Sequence, residues 1–362
     1  MKIFKIKEIC HLEKGKQIDT TLLSDGNPYK YINGGIKESG YYTTYNTEGE
    51  AVLVSEGGAS CGYVNYINEK FWCGCHCYKL TKCKFLPKYI YYALKGNQEK
   101  LMALRTGAAM PNIKKTTFQD MELLLNENHT EQELVIKELD KIQIALEIKK
   151  TELIALDDLV KSRFIEMFGD PVENPKGWDK RPLSDECEII TGNTPSRKKP
   201  NYYGDFIEWI KSDNINTPNA LLTPAAESLS EEGLKVGRSV EKDCILMTCI
   251  AGSIGCIGNV SVTDRKVAFN QQINAIIPNK NNVWFLYVLF DLSKSYIQST
   301  VTMALKGILS KGQLSKIEFI FPPIELQNEF AEFVKLTDKS KFVCRFTPSI
   351  FYAIFLHSRH PP

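Results

Sequence analysis

The two halves of this chain repeat one succession of strands and turns about 195 residues apart, and a charged amphipathic helix joins them. The first half opens Phe4-Lys5-Ile6-Lys7-Glu8-Ile9-Cys10 and turns at Lys14-Gly15-Lys16. The second opens Trp178-Asp179-Lys180-Arg181-Pro182-Leu183 and turns at Gly192-Asn193-Thr194-Pro195. Tyr29–Ile36 is answered by Phe206–Ile215, each a short aromatic strand running into a polar turn. Ala51–Ser55 leads into a glycine-rich turn at Gly57–Gly62, as Cys244–Thr248 leads into Ala251–Gly255. Phe118–Leu125 matches Leu314–Phe321, and Glu131-Gln132-Glu133-Leu134 matches Leu326-Gln327-Asn328-Glu329. The offset drifts between about 193 and 196, while the order holds throughout. Two similar units on one rod fit a device that measures an extended polymer.

Composition narrows the class. With 362 residues, 43% hydrophobic and 24% charged, the chain can bury one large or two ordinary cores. No basic and apolar leader opens it and no 18-residue apolar run occurs, which predicts a cytoplasmic protein outside the membrane. Eleven cysteines dispersed through so long a chain predict reduced thiols. The net charge of +2 is low for a solitary nucleic-acid binder, so either the chain does not touch nucleic acid or its positive charge is local and most of the binding electrostatics come from partner proteins. Local clusters occur at Lys14 and Lys16, Lys114 and Lys115, Arg197 to Lys199, and Lys306 and Lys311.

The joining helix has the clearest periodicity. From Val135 the apolar positions step by four and three through Leu139, Ile142, Leu146, Leu153, Leu156 and Val160, a heptad seam interrupted by Lys149 and Arg163. Thr130 is placed to cap it, with Glu133 three residues on, and Gly169 followed by Pro171 ends it. A helix from Glu131 to Met167 is roughly 55 Å long at 1.5 Å per residue. The second half starts the same seam at Phe330, Val334 and Thr337, then loses register after Lys341. Residues Phe342–Pro362 are aromatic-rich, hold no acidic residue and contain Pro348, as a frameshifted or recombined end would.

At Tyr31–Ile36, Phe71–Cys77, Phe164–Asp170 and Phe321–Gln327 the chain resembles the specificity subunit of type I restriction-modification systems. The resemblance covers residues 1 to about 341 and lies in architecture more than in any one motif. It implies an α+β fold of two similar mixed α/β target-recognition domains, separated by long antiparallel coiled-coil-type helices of which the second is truncated. The expected boundaries are 1–130 for the first domain, 131–169 for the spacer helix, 170–324 for the second domain, 325–341 for the start of the second helix and 342–362 for an atypical tail. Each domain would read one half of a bipartite site on double-stranded DNA. Helix packing would fall to Val135, Leu139, Ile142, Leu146, Leu153, Leu156, Val160, Phe330 and Val334. The implied partners are methylation subunits, two by symmetry, and restriction subunits joined through the complex; no cofactor, metal or catalytic residue is implied. Because the duplex presents its major groove again after about 34 Å, two readers on a rigid spacer suit such a site.

Base recognition uses Arg or Lys on guanine and Asn or Gln on adenine, while hydroxyls and backbone groups meet phosphate. Loop residues of these types are Asn33, Lys37, Ser55, Arg105, Asn112, Lys114 and Lys115 in the first half. In the second they are Arg197, Lys198, Lys211, Ser212, Asn214, Ser253, Gln271, Gln272 and Lys311. The cluster Cys73, Cys75, His76, Cys77 and Cys83 lacks zinc-knuckle spacing and reads as a buried thiol strand. A fused methyltransferase is disfavoured because Asn27-Pro28-Tyr29 lacks the second proline of its catalytic loop, and no P-loop occurs. A protein scaffold indifferent to DNA is the other alternative.

Overall fold

The computed structural model describes residues 1–107, 110–303 and 307–338; Lys306, Lys341 and the 342–362 segment lie outside them. The chain forms two compact units, Met1–Glu147 and Ile148–Pro362.

Each unit is built on one plan. In the first, an antiparallel sheet runs His11–Lys14, Cys77–Thr81, Ala51–Ser55, Val64–Ile67. In the second, the order is Cys187–Thr191, Ile273–Pro278, Ile245–Thr248, Val260–Val262. Beside it Tyr29–Ile32 pairs parallel with Phe71–Cys73, as Ile207–Ile210 pairs with Val267–Phe269. Lys2–Lys5 closes on Glu122–Leu125, and Lys180–Pro182 on Glu318–Ile320. The central strands are apolar on both faces, Val52, Leu53 and Val54 being as buried as Ile245, Leu246 and Met247; in the second unit Ile245 and Met247 pack into the core shared with the helices and Leu246 into a separate core on the opposite face.

The offset between the units departs from the expected drift. It is 178 from Ile32 to Ile210, 193 from Val52 to Ile245 and 196 from Leu80 to Ile276. The step of 15 comes from a longer excursion in the second unit, which adds the helix Glu231–Val236 and the strand Ser239–Val240 between the matched strands. Ser230 caps that helix by accepting from the Gly233 N–H at 3.0 Å.

The joining helix spans His129–Phe168. Its cap is Asn128, whose Oδ1 accepts from the Glu131 N–H at 3.2 Å, and not the expected Thr130; Gly169, at φ +79°, ends it. The N-terminal part belongs to the first unit, where Gln132 Oε1 accepts from the Leu86 N–H at 3.1 Å and Asp140 receives Tyr92 Oη at 2.5 Å and Lys88 Nζ at 2.7 Å. The C-terminal part belongs to the second, where Phe164 stacks on Phe285 at 5.5 Å between ring centres and meets Phe330 edge-on at 5.4 Å. Val135 and Val160 are buried, and Leu139, Ile142, Leu153 and Leu156 are half-buried. Leu146 departs from its expected packing role: with Ile144 and Ile148 it is exposed.

The second helix occupies 324–338 and begins as the first does, with the Asn282 N–H donating to Gln327 Oε1 at 3.0 Å. Phe330, Val334 and Thr337 are all buried on it. No helix among the described residues is long and apolar enough to cross a membrane.

Candidate nucleic-acid interface

In each unit the loops at one end of the sheets are tied together by backbone hydrogen bonds, and several of the candidate residues lie in or beside them. In the first unit Lys16 N–H donates to Cys73 O at 2.9 Å, Gly74 N–H to Ile32 O at 2.8 Å, Glu56 N–H to His76 O at 2.9 Å and Gly58 N–H to Pro111 O at 2.9 Å. The loops at Lys14–Gln17, Asn33–Lys37, Glu56–Gly62, Gly74–His76 and Thr106–Asn112 thereby become one surface. The second unit repeats the ties residue for residue: Asn193 to Phe269 O, Asn270 to Ile210 O, Cys249 to Gln272 O, and Ala251 paired with Gly307. The bridges Gly57–Asn112 and Thr106–Asn112 recur as Ile250–Ile308 and Thr302–Ile308. Gly15 and Gly192 allow the turns to approach, since a Cβ on either would lie 2.1 Å from a backbone oxygen, that of Cys73 or of Asn270.

Two expected contacts do not belong to this surface. Ser55 is 2% exposed, held in its strand by the Tyr63 carbonyl and the Gly62 N–H. Asn214 is buried because its side chain closes its own turn, accepting from the Lys211 N–H at 3.0 Å and donating to Pro224 O at 2.9 Å. Ser55 is covered by the turn that follows its strand, and Asn214 by its own turn and the segment up to Pro224.

Others are engaged, and all of these are half-exposed except Arg197, which is exposed. Asn33 Oδ1 accepts from the His76 N–H at 3.2 Å, Gln272 Oε1 accepts from Asn270 Nδ2 at 3.1 Å, and Asn112 uses its backbone in the two bridges named above. Arg197 and Lys211 share Glu227, Arg197 Nη2 at 2.6 Å from Oε2 and Lys211 Nζ against Oε1. These two cations hold the Glu227 carboxyl below the usual carboxylate range, Lys211 most strongly. Arg197 also lies 4.2 Å over the Tyr203 ring, and both cations approach the Trp209 ring.

Lys37, Arg105, Lys114, Lys115, Lys198, Ser253, Gln271 and Lys311 are exposed, and Ser212 is half-exposed. Among the described residues no ion pair occupies Lys16, Lys37, Arg105, Lys114, Lys115, Lys198 or Lys311, which leaves them as the cations open to phosphate.

The cysteine cluster is a strand, a turn and a second strand, not one thiol strand. Cys73 ends Phe71–Cys73, Cys75 lies half-exposed in the turn, and Cys77 starts the next strand. Cys73 and Cys77 are buried against each other, and their hydrogen bond together with burial raises the Cys77 thiol. No group of three or more His, Cys, Asp and Glu side chains among the described residues could hold a metal ion.

The model of the type I restriction modification DNA specificity domain matches residues 1–157 and again 175–342. The chain belongs to that family. Its two matched segments follow the two structural units. Over 357 residues, covering 93% of this chain and 89% of the relative, it is 24% identical to a putative type I specificity subunit of Mycoplasma pneumoniae. Shorter alignments give 33% identity to a putative specificity subunit of Mycoplasma genitalium and to the HindI type I restriction enzyme specificity subunit of Haemophilus influenzae. These span 39% and 42% of this chain and only 38% and 33% of those relatives. The solved S subunit of the type I restriction-modification system of M. genitalium shares the fold, with a TM-score of 0.59 at 21% identity over 98% of this chain and 93% of that one.

Proposed function

We propose that each unit reads one half of a split site on double-stranded DNA, and that the helix His129–Phe168 sets the distance between the halves. The observation that carries this reading is the residue-for-residue recurrence of the tied loop surface in both units, each fringed with unpaired cations, in a chain of the DNA specificity family. Loop ends on a rigid sheet are where base contacts can be exchanged without disturbing the core. The exposed cations Lys37, Arg105, Lys114, Lys115, Lys198 and Lys311 would meet phosphate, and the amides and hydroxyls between them would meet base edges. Methylation subunits, two if the repeat is read as a pseudo-twofold, would dock on the helices and supply the chemistry, with restriction subunits joining the same complex. The site of action is then the cytoplasm.

With a methylation partner present, the complex should protect a split sequence with an unspecified gap and weaken steeply as salt rises. Exchanging residues 1–147 for those of another family member should change one half of the protected site and leave the other intact. Protection without any sequence preference would overturn the reading in favour of a scaffold.

A further inference from the structure

The hydrogen-bond register fixes which side chains of the two units correspond. Lys16 matches Asn193 and Cys73 matches Phe269, so Gln17 matches Thr194 and Cys75 matches Gln271. In both units these two positions touch: Cys75 Sγ lies 3.0 Å from Gln17 Oε1, and the Thr194 hydroxyl donates to Gln271 Oε1. One exposed glutamine thus stands at the mouth of each loop surface, anchored by its oxygen. It comes from the first turn in one unit and from the opposite turn in the other.

The orientation of Gln17 follows from its neighbours. Asn33 has its oxygen committed to the His76 N–H, so it turns its amide group to Gln17, 3.4 Å away, and only an oxygen can receive it. Tyr31 Oη, on a buried ring, lies 3.1 Å from the same oxygen. With Asn33, Tyr31 and the Cys75 thiol around it, the Gln17 oxygen has no lone pair left for a ligand. The Nε2 group makes one contact, to Ile18 O at 3.1 Å, and keeps a second N–H. Beside it Lys16 is exposed without an ion pair among the described residues.

We propose that Gln17 and Gln271 are equivalent base-reading side chains of the two units. Gln17, presenting a donor only, selects a base edge that offers an acceptor in the major groove: guanine N7 or O6, adenine N7 or thymine O4. Cytosine, which offers its N4 amino group there, is rejected. This assignment rests on the half-site reading proposed above and deepens it.

The test is Gln17→Glu in the full chain, assembled with its methylation partner and scored against a library of site variants. A carboxylate only accepts, so preference at one base pair of the first half-site should move toward cytosine by roughly 5- to 150-fold, with the second half unchanged. Gln271→Glu should alter the second half alone. Gln17→Ala, which also removes the acceptor of the Tyr31 and Asn33 contacts, should relax that same base pair and lower the melting temperature by no more than a few degrees. An unchanged profile, or a uniform loss over all sequences with no position altered, would overturn the assignment. A wild-type complex without sequence preference would instead strike at the half-site reading itself.

Discussion

In the first unit the Lys16 carbonyl accepts the indole N–H of Trp72 at 2.7 Å, from the strand Phe71–Cys73. In the second the matching Asn193 carbonyl accepts the indole of Trp209 at 3.4 Å, from the other strand of the parallel pair. The turn after that pair is pinned in the same crossed fashion. Asn33 Oδ1 holds the His76 N–H in one unit, whereas Asn270 Oδ1 holds the matching Gln272 N–H at 3.0 Å in the other. The two solutions exclude each other: position 74, which matches Asn270, is a glycine whose Cβ would lie 2.2 Å from Asn33 Oδ1. What the units share is a backbone path, and the side chains that support it are interchangeable. Because the support has moved to Asn270, position 211 in the second unit is free to carry a lysine where the first unit needs its asparagine.

The comparison can be broken most forcefully at the helix ends. Phe164→Ala removes a fully buried ring from the second unit and should cost about 3–5 kcal/mol, whereas Val135→Ala in the first should cost well under half of that. Chemical denaturation followed by hydrogen exchange separates the two units; equal losses would mean that the rod is bound alike at both ends.

Gly15→Ala and Gly192→Ala test the shared path. Each puts a methyl into a backbone carbonyl and should cost about 3 kcal/mol in its own unit. If one unit accepts alanine with no loss, the equivalence of the two turns fails there.

Tyr78→Phe probes a feature of the first unit alone. Tyr78 Oη donates to Glu56 Oε1 at 3.0 Å and lies 2.9 Å from Ile113 O, and Lys14 pairs with the same carboxylate at 2.6 Å. The second unit has Cys249 and Asn274 at the matching places. Losing this hydroxyl should cost about 1–3 kcal/mol in thermal melts, confined to the first unit.

The smallest expected effect is acid-dependent and belongs to the second unit. Arg265 makes a two-pronged contact with Glu208, the Nη2 to Oε1 arm being 3.1 Å, and holds that carboxyl below its ordinary 4.5. A depressed carboxylate stabilises the fold fully above its unfolded value and loses that contribution as pH falls through the lowered folded value. The second unit should therefore lose stability on acidification below about 4.5, and Glu208→Gln should cost about 1–2 kcal/mol at neutral pH while flattening that slope. Melts of wild type and variant from pH 7 to pH 3 check both; parallel curves would show the pair to be without consequence.

Strands and rod were legible because their signal is local: alternating or continuous apolar runs ending at glycines, and a heptad seam. The insertion was not, since Asn216–Gly237 is polar with scattered proline and glycine, and the short strands Ser228–Leu229 and Ser239–Val240 exist only by pairing with distant partners. At the site, exposure of the cations followed from their charge, but the burial of Ser55 and Asn214 is decided by how the turns beside them close, which residue type alone does not fix. Gln17 obeys no pattern, yet a signal was present: Gly15 and Gly192 align, and a side chain two residues past such a tight turn has a fixed position.

The exposed middle of the rod has an evolutionary reading. Side chains that clamp the helix to the first unit reach Gln143, whose Oε1 lies 3.2 Å from Tyr92 Oη, those buried against the second resume by Val160, and Leu146 and Ile148 between them are exposed. A crossover there would exchange one whole reader and leave the buried Gln132, Val135 and Val160 each in its own unit. One made at residue 130 would strand Gln132, Val135 and Asp140 in a foreign setting. The stretch least involved in holding the protein together is therefore its natural seam for shuffling, where new combinations of half-sites can arise in a single step.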